Sequence, residues 1–205
     1  MTETPPQQRP LPRKSPRQAR SAETVRAIVE AAARILEQGG LGAFTTNSVA
    51  ERAGVSIGSL YQYFPGKEAL IGALIVRETS LLIADWEAAS AAVGSSRDAL
   101  AGLIKAAVAH QLRRPNLARL IDLEEARLPF DHDTRRVTDR LRSILRDVLS
   151  GTDIPPQADL DTATQDVLAI IKGIVDAAGE RGEQDQDRLI ARVRRAVLGY
   201  LGSSA

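Results

Sequence analysis

The chain has 205 residues, 43% of them hydrophobic and 26% charged, with a net charge of +1, no cysteine and two histidines, His110 and His132. That length suits one sizeable domain or a small one joined to a medium one, and the missing cysteines exclude disulfides, thiolate chemistry and cysteine–zinc sites. No apolar run approaches the roughly 20 residues of a membrane span, and the first residues lack the apolar stretch of a signal peptide, so a soluble cytoplasmic protein is expected, with no membrane partner, metal or cofactor.

The charge is unevenly divided. Residues 1–67 carry nine basic and five acidic side chains, a net of +4, which leaves −3 for the remainder. A basic front suits a polyanionic partner, and a more acidic rear suits another task.

Residues 1–20 hold five of the ten prolines and almost no large apolar side chain. Such a segment buries too little surface to offset its chain entropy, so it is expected to be a disordered basic arm. It serves either as a solubilising tail or as an arm lying on phosphates or in a minor groove.

From Ser21 onward the apolar residues recur at helical spacing. Val25, Ile28, Val29, Ala32, Ala33 and Leu36 predict a first helix, N-capped by Ser21 and ended by Gly39-Gly40. A short helix over Asn47–Ala53, capped by Thr45 or Thr46, is broken by Gly54. Ser56 caps a third helix that reaches about Tyr63. Pro65-Gly66 precedes a long helix from Lys67 to about Ala92. Behind a Val93–Ser96 linker, apolar periodicity predicts helices ending near Pro115 and near Pro129. A third surrounds Val137–Val148, and two more cover about Asp159–Ala178 and Asp185–Leu201. No stretch alternates with period two long enough to argue a strand. The expected fold is all-α, with the arm at 1–20, a three-helix domain at 21–66, and a larger helical domain at 67–205.

The stretch Thr45–Leu70, TTNSVAERAGVSIGSLYQYFPGKEAL, carries the chemistry. A helix-turn-helix needs two short helices crossing at a wide angle over a tight turn. Ala50 is small where the second helix presses on the first, and Gly54 permits the positive φ of the turn. Val49, Ala53, Val55 and Leu60 supply the inner face. Ser56, Gly58, Ser59, Tyr61, Gln62 and Tyr63 give the second helix an unusually polar and small surface. A helical glycine costs roughly 1 kcal/mol against alanine, which is tolerable where backbone must approach a ligand closely. Tyr61 and Tyr63 point about 200° apart on a helix, so both cannot be core.

The run FTTNSVAERAGVSIGSLYQYFPGKEAL resembles the DNA-binding signature of the tetracycline-repressor (TetR) family. The matching residues are Thr45/Thr46, Val49, Ala50, Ala53 to Ser56, Gly58, Leu60, Tyr61, Tyr63, Phe64, Lys67 and Leu70. No motif position departs, and the match covers Ser21 to about Ile75. The rest resembles the family only in helix number and length. The resemblance implies an all-α homodimer that binds double-stranded operator DNA through its N-terminal helices and holds an inducer pocket behind them. It implies phosphate contacts from Thr45 or Thr46, Ser56, Tyr61, Tyr63 and Lys67. Ile57, Gly58, Ser59 and Gln62 would face base edges, and Leu60 and Phe64 would be core.

In the rear half, His110 and Glu124 fall on apolar helix faces and are expected to point inward. They are either a structural pair satisfied internally or the few polar groups of an apolar ligand pocket. Trp86, the only tryptophan, shares a face with Ile75 and Leu82; it is a core residue or a third pocket residue. The Asp159–Ala178 helix is apolar nearly all round, which calls for burial on two sides. Ala169, Gly173 and Ala177 recur at four-residue spacing. Val167, Ile170, Gly173, Ile174 and Ala177, with Val193 and Val197 of the last helix, are the expected dimer interface. The alternative is the central helix of a monomer's core.

The leading reading is a repressor released from DNA by a small-molecule inducer that reorients the long Lys67–Ala92 helix. The alternative is a DNA-binding regulator without such an effector, controlled by a protein partner. No nucleophile–base pair, phosphate loop or metal cluster argues for an enzyme.

Overall fold

The computed structural model describes residues 19–91, 94–127 and 132–202. Residues 1–18 of the expected basic arm lie outside these, as do Val93 and the Pro129 helix end, while Ala19 and Arg20, expected in the arm, already belong to the first helix. Among the described residues the chain forms nine α-helices and no strand. They are α1 (Ala19–Ala43), α2 (Thr46–Arg52), α3 (Ile57–Tyr63), α4 (Lys67–Ala91), α5 (Ser96–Arg113), α6 (Pro115–Arg127), α7 (His132–Leu149), α8 (Leu160–Glu180) and α9 (Gln186–Gly202).

The caps explain most boundaries. Thr45 caps α2 in a reciprocal box with Ser48, Ser56 caps α3, Ser95 caps α5 and Asp159 caps α8. Ser21 is not a cap, because α1 already runs from Ala19. The glycine pair does interrupt α1: Gly40 takes φ 61° and ψ −165°, and helical geometry then resumes to Ala43. A left-handed glycine breaks the hydrogen-bond ladder without Cβ strain, and too few residues remain before Phe44 for a separate helix.

The helices form two compact units. The smaller takes the described residues up to Glu78 and from Asn116 to Arg135; the larger takes Thr79–Pro115 and the described residues from Arg136 onward. The division differs from a boundary at Gly66. The first half of α4 belongs with the helix-turn-helix, and so does most of α6, whose Leu117 and Ile121 are buried in the same cluster as Ile28, Leu36, Val49, Leu60, Leu70 and Leu74. Periodicity shows that α6 has an apolar face but not which core receives it.

The larger unit's core collects Trp86 from α4 with Leu100, Leu103, Ile104 and Val108 from α5. Leu141, Ile144 and Leu145 from α7 join it, as do Val167 and Ile171 from α8 and Val193 and Val197 from α9. Gly102 lets α4 and α5 approach closely, since a Cβ there would lie 3.1 Å from the Ala89 Cβ. The loop after α7 is pinned to the start of α5. Asp153 accepts the N–H groups of Ser96 (3.2 Å) and Arg97 (2.9 Å), and its carbonyl accepts Arg97 Nε at 2.6 Å. The Arg97 backbone N–H, foremost, holds the Asp153 carboxyl below the ordinary carboxylate range.

Candidate nucleic-acid interface

The helix-turn-helix is assembled from local rules. The Thr45 hydroxyl accepts the Ser48 N–H (3.1 Å) and Ser48 Oγ accepts the Thr45 N–H (3.1 Å), which fixes where α2 begins. Gly54 closes the turn at φ 67°, donating to the Glu51 carbonyl at 3.1 Å, while Val55 N–H reaches the Ala50 carbonyl at 3.0 Å. Ser56 Oγ then accepts the Ser59 N–H at 3.0 Å and starts α3. Val49 and Leu60, both at 0% exposure, lock the two helices to α1. Each contributes about 1.5–3 kcal/mol by burial.

With that inner face fixed, helical geometry decides what α3 shows to solvent. Ile57, Gly58, Tyr61 and Gln62 form one exposed strip, while Leu60 is buried within the helix and Phe64 just past its end. Ile57 is 38% and Tyr61 41% exposed, one helical turn apart on this strip. Tyr63 is half-buried against the smaller unit's core, so the two tyrosines divide as their spacing requires. Gly58 is not demanded by the chain's own packing. A Cβ there would meet nothing nearer than Ser56 Oγ at 3.9 Å, and its φ is not positive.

The polar groups around the strip are already ordered. Thr46 Oγ1 and the Tyr61 hydroxyl are hydrogen-bonded at 3.1 Å, joining the start of α2 to the middle of α3. The Ser56 and Ser59 hydroxyls pair at 2.8 Å. Lys67 Nζ donates to the Leu41 carbonyl at 3.3 Å and sits 5.5 Å from the Phe44 ring centroid. Lys67 therefore ties the end of α1 to the start of α4 while remaining half-exposed. Sequence reasoning missed Ser48 and Leu41. A threonine with a serine three residues on is a capping-box signal for the first, whereas an acceptor carbonyl 26 residues away leaves no trace in the sequence. A shallow groove of about 480 Å³ lies behind α2, lined by Ile35, Gln38, Gly39, Ser48, Glu51 and Arg52.

Residues 28–74 match the model of the bacterial regulatory proteins of the tetR family. Residues 96–201, just over half of the chain, match that of the tetracyclin repressor-like C-terminal domain. The chain belongs to the tetR family. This places it among transcription regulators rather than enzymes. The tetR-family chain is 38% identical over 68 residues to the HTH-type transcriptional repressor KstR of Mycolicibacterium smegmatis, a match that spans 33% of this chain and 33% of that protein. A TetR-family regulator from Streptomyces coelicolor superposes with TM-score 0.70 at 25% identity, covering 88% of this chain and 97% of that one. The regulator FadR of Bacillus subtilis, solved in complex with stearoyl-CoA, superposes with TM-score 0.71 at 20% identity, covering 88% and 98%. That last likeness is one of fold.

The structure redistributes the residues expected at the tetR-family dimer interface. Val167, Val193 and Val197 are each 0% exposed within the chain's own core. They pack in the cluster to which α5, α8 and α9 all contribute. Ile170, Ile174 and Ala177 are half-buried and Gly173 is exposed, with open space where a Cβ would stand. Tyr200 of α9 donates to Asp166 of α8 at 2.7 Å, a bond that raises the phenol's pKa.

Of the expected pocket residues, Trp86 is 1% exposed in the larger unit's core and His110 is half-buried on α5. Glu124 is 8% exposed on α6, in the smaller unit. A second groove, of about 710 Å³, lies in the larger unit between the end of α4, the start of α5 and α7. Among the described residues no helix is long and apolar enough to cross a membrane, and no cluster of side chains could hold a metal ion.

Proposed function

We propose that this chain is a homodimeric, cytoplasmic repressor that holds operator DNA through α3 and is released by a small molecule bound in the larger unit. The observation that carries the reading is the strip of Ile57, Gly58, Tyr61 and Gln62. It spends an exposed isoleucine, an exposed tyrosine and a glycine that internal packing does not require. A duplex groove resolves all three, since backbone can approach base edges only where no Cβ intervenes. Around the strip, Thr45, Thr46, Ser56, Tyr61, Tyr63 and Lys67 supply hydroxyl and ammonium donors for phosphates. The 68 residues shared with the repressor KstR amount to a third of the chain, and FadR of the same fold carries an acyl-CoA.

Two recognition helices are needed for tight binding, which calls for the outward faces of α8 and α9, including Ile170, Gly173, Ile174 and Ala177, to pair with a second copy. Half-sites then lie about one DNA turn apart, roughly 34–36 Å. An effector releases DNA only through a higher affinity for the non-binding state. His110, in the larger unit, remains a candidate for contacting it, whereas Glu124 belongs to the smaller unit. Selection from a random-sequence duplex pool tests the reading: wild-type protein should enrich a two-fold symmetric site, and a pool that stays random after repeated rounds would refute it.

A further inference from the structure

We propose that α3 reads A·T pairs in the major groove, with Gln62 pairing to an adenine edge and Ile57 lying on a thymine methyl. This rests on the reading that α3 holds operator DNA, and it adds which bases that DNA must offer. The sequence of α3 is IGSLYQY, without a charged side chain. The commonest contact to guanine is a bidentate arginine or lysine on O6 and N7, and the usual contact to the cytosine amino group is a carboxylate. This helix can make neither.

What α3 does offer depends on which of its groups are already committed. The Tyr61 hydroxyl is held to Thr46 Oγ1 at 3.1 Å, and the Ser59 hydroxyl to Ser56 Oγ at 2.8 Å. Tyr63 is half-buried against the smaller unit's core, and Leu60 is fully buried. Gln62 is exposed, and no described residue hydrogen-bonds its side chain. A carboxamide carries a donor and an acceptor side by side. Adenine presents the complement, its N6 amino group and N7. Guanine presents two acceptors there, one of which would face the amide oxygen. Gly58 stands one helical turn before Gln62 on the same side, with no Cβ to hold the base edge away from the backbone.

Ile57 makes the second choice. It is exposed at the first position of α3 and belongs to neither buried cluster. The apolar feature of the major-groove edges is the thymine C5-methyl. Against that methyl the isoleucine buries apolar surface. Against an amino group or the guanine carbonyl it would strip water from a polar atom and offer no hydrogen bond in return.

The test uses the full chain and the duplex it selects from a random pool. 7-Deazaadenine, which lacks the N7 acceptor, replaces each adenine of the half-site in turn, and deoxyuridine, which lacks the methyl, replaces each thymine. At least one adenine should respond with a loss of about fivefold in affinity, the value of one hydrogen bond. At least one thymine should respond with a loss of about fourfold, the value of one buried methyl. The adenine response should vanish in Gln62→Ala and the thymine response in Ile57→Ala, each variant keeping the other response. Gln62→Met and Ile57→Thr take the place of a variant whose Tm shows that it does not fold. A selected site in which no adenine or no thymine responds, or a response that survives the matching variant, would overturn the assignment. A pool that stays random refutes instead the reading that α3 holds operator DNA, whereas an enriched site that fails the analogue scan refutes only the choice of bases.

Discussion

Gly58→Ala separates folding from recognition because the two readings move in opposite directions. Gly58 stands in the first turn of α3, exposed, with no protein atom other than Ser56 Oγ within 4 Å of where a Cβ would be. The methyl fits, and alanine loses less backbone entropy than glycine on entering a helix. In a first turn the gain lies at the lower end of the usual range, about 0.5 kcal/mol, which corresponds to roughly 1–2 °C in Tm for a chain of this size. On DNA the same methyl projects from the exposed strip between Ile57 and Tyr61, where a base edge or sugar must come close. Loss of one well-fitted position costs about 1–3 kcal/mol, roughly five- to 150-fold in affinity, and a dimer loses it at both half-sites. Scanning calorimetry and fluorescence anisotropy on a duplex selected by the wild type read the two quantities. A raised Tm with unchanged affinity would remove the strip from the DNA interface. A lowered Tm would refute the claim that internal packing does not require the glycine.

Tyr61→Phe and Thr46→Val each break the hydroxyl pair between α2 and α3. Binding should weaken about three- to tenfold in either, with little further loss in the double variant, whereas additive losses in a double-mutant cycle would mean that the hydroxyls act separately. Lys67→Ala should lower the slope of binding against salt by about one counterion and also reduce Tm, since Nζ holds the Leu41 carbonyl; an unchanged salt slope confines Lys67 to the internal role. Gly173→Leu meets open space within the chain, so the monomer should fold normally while sedimentation shows a weaker dimer; undiminished dimerisation would place the interface elsewhere. Asp153 has a depressed pKa, so its contribution to stability is present above the unfolded carboxylate value near pH 4 and is lost as pH falls through the lower folded value. Asp153→Asn should therefore lower Tm at neutral pH and flatten its decline in acid, and a parallel acid decline in both proteins would contradict the assignment.

The smaller unit was legible because its signals are local. Thr45, Gly54 and Ser56 each act within four residues of their position, and caps and turns of that range leave their residue types in the sequence. The same holds for the division of Tyr61 from Tyr63, which needs only the helical pitch and one buried neighbour, Leu60. The place of α6 was not legible. Leu117 and Ile121 advertise an apolar face, yet any core of the chain could have received it, and packing alone assigns it to the helix-turn-helix.

The valines of α8 and α9 carry the sharper lesson. An apolar surface nearly all round a helix says that two partners are needed, but it does not say which side belongs to which. Val167, Val193 and Val197 are buried in the chain's own core, whereas the Ile170–Gly173–Ile174–Ala177 side stays partly open. Both sides carry β-branched side chains, Val167, Ile171 and Val175 on the closed side and Ile170 and Ile174 on the open one. The open side carries Gly173 and Ala177, which bring little side-chain entropy to lose and let a second helix come close. A purely internal helix would have no reason to keep an exposed glycine in its middle, where it forgoes roughly 1 kcal/mol of helix propensity. The sequence therefore contained the asymmetry, but only the position of α5 reveals which half of it is already spent on the chain's own core.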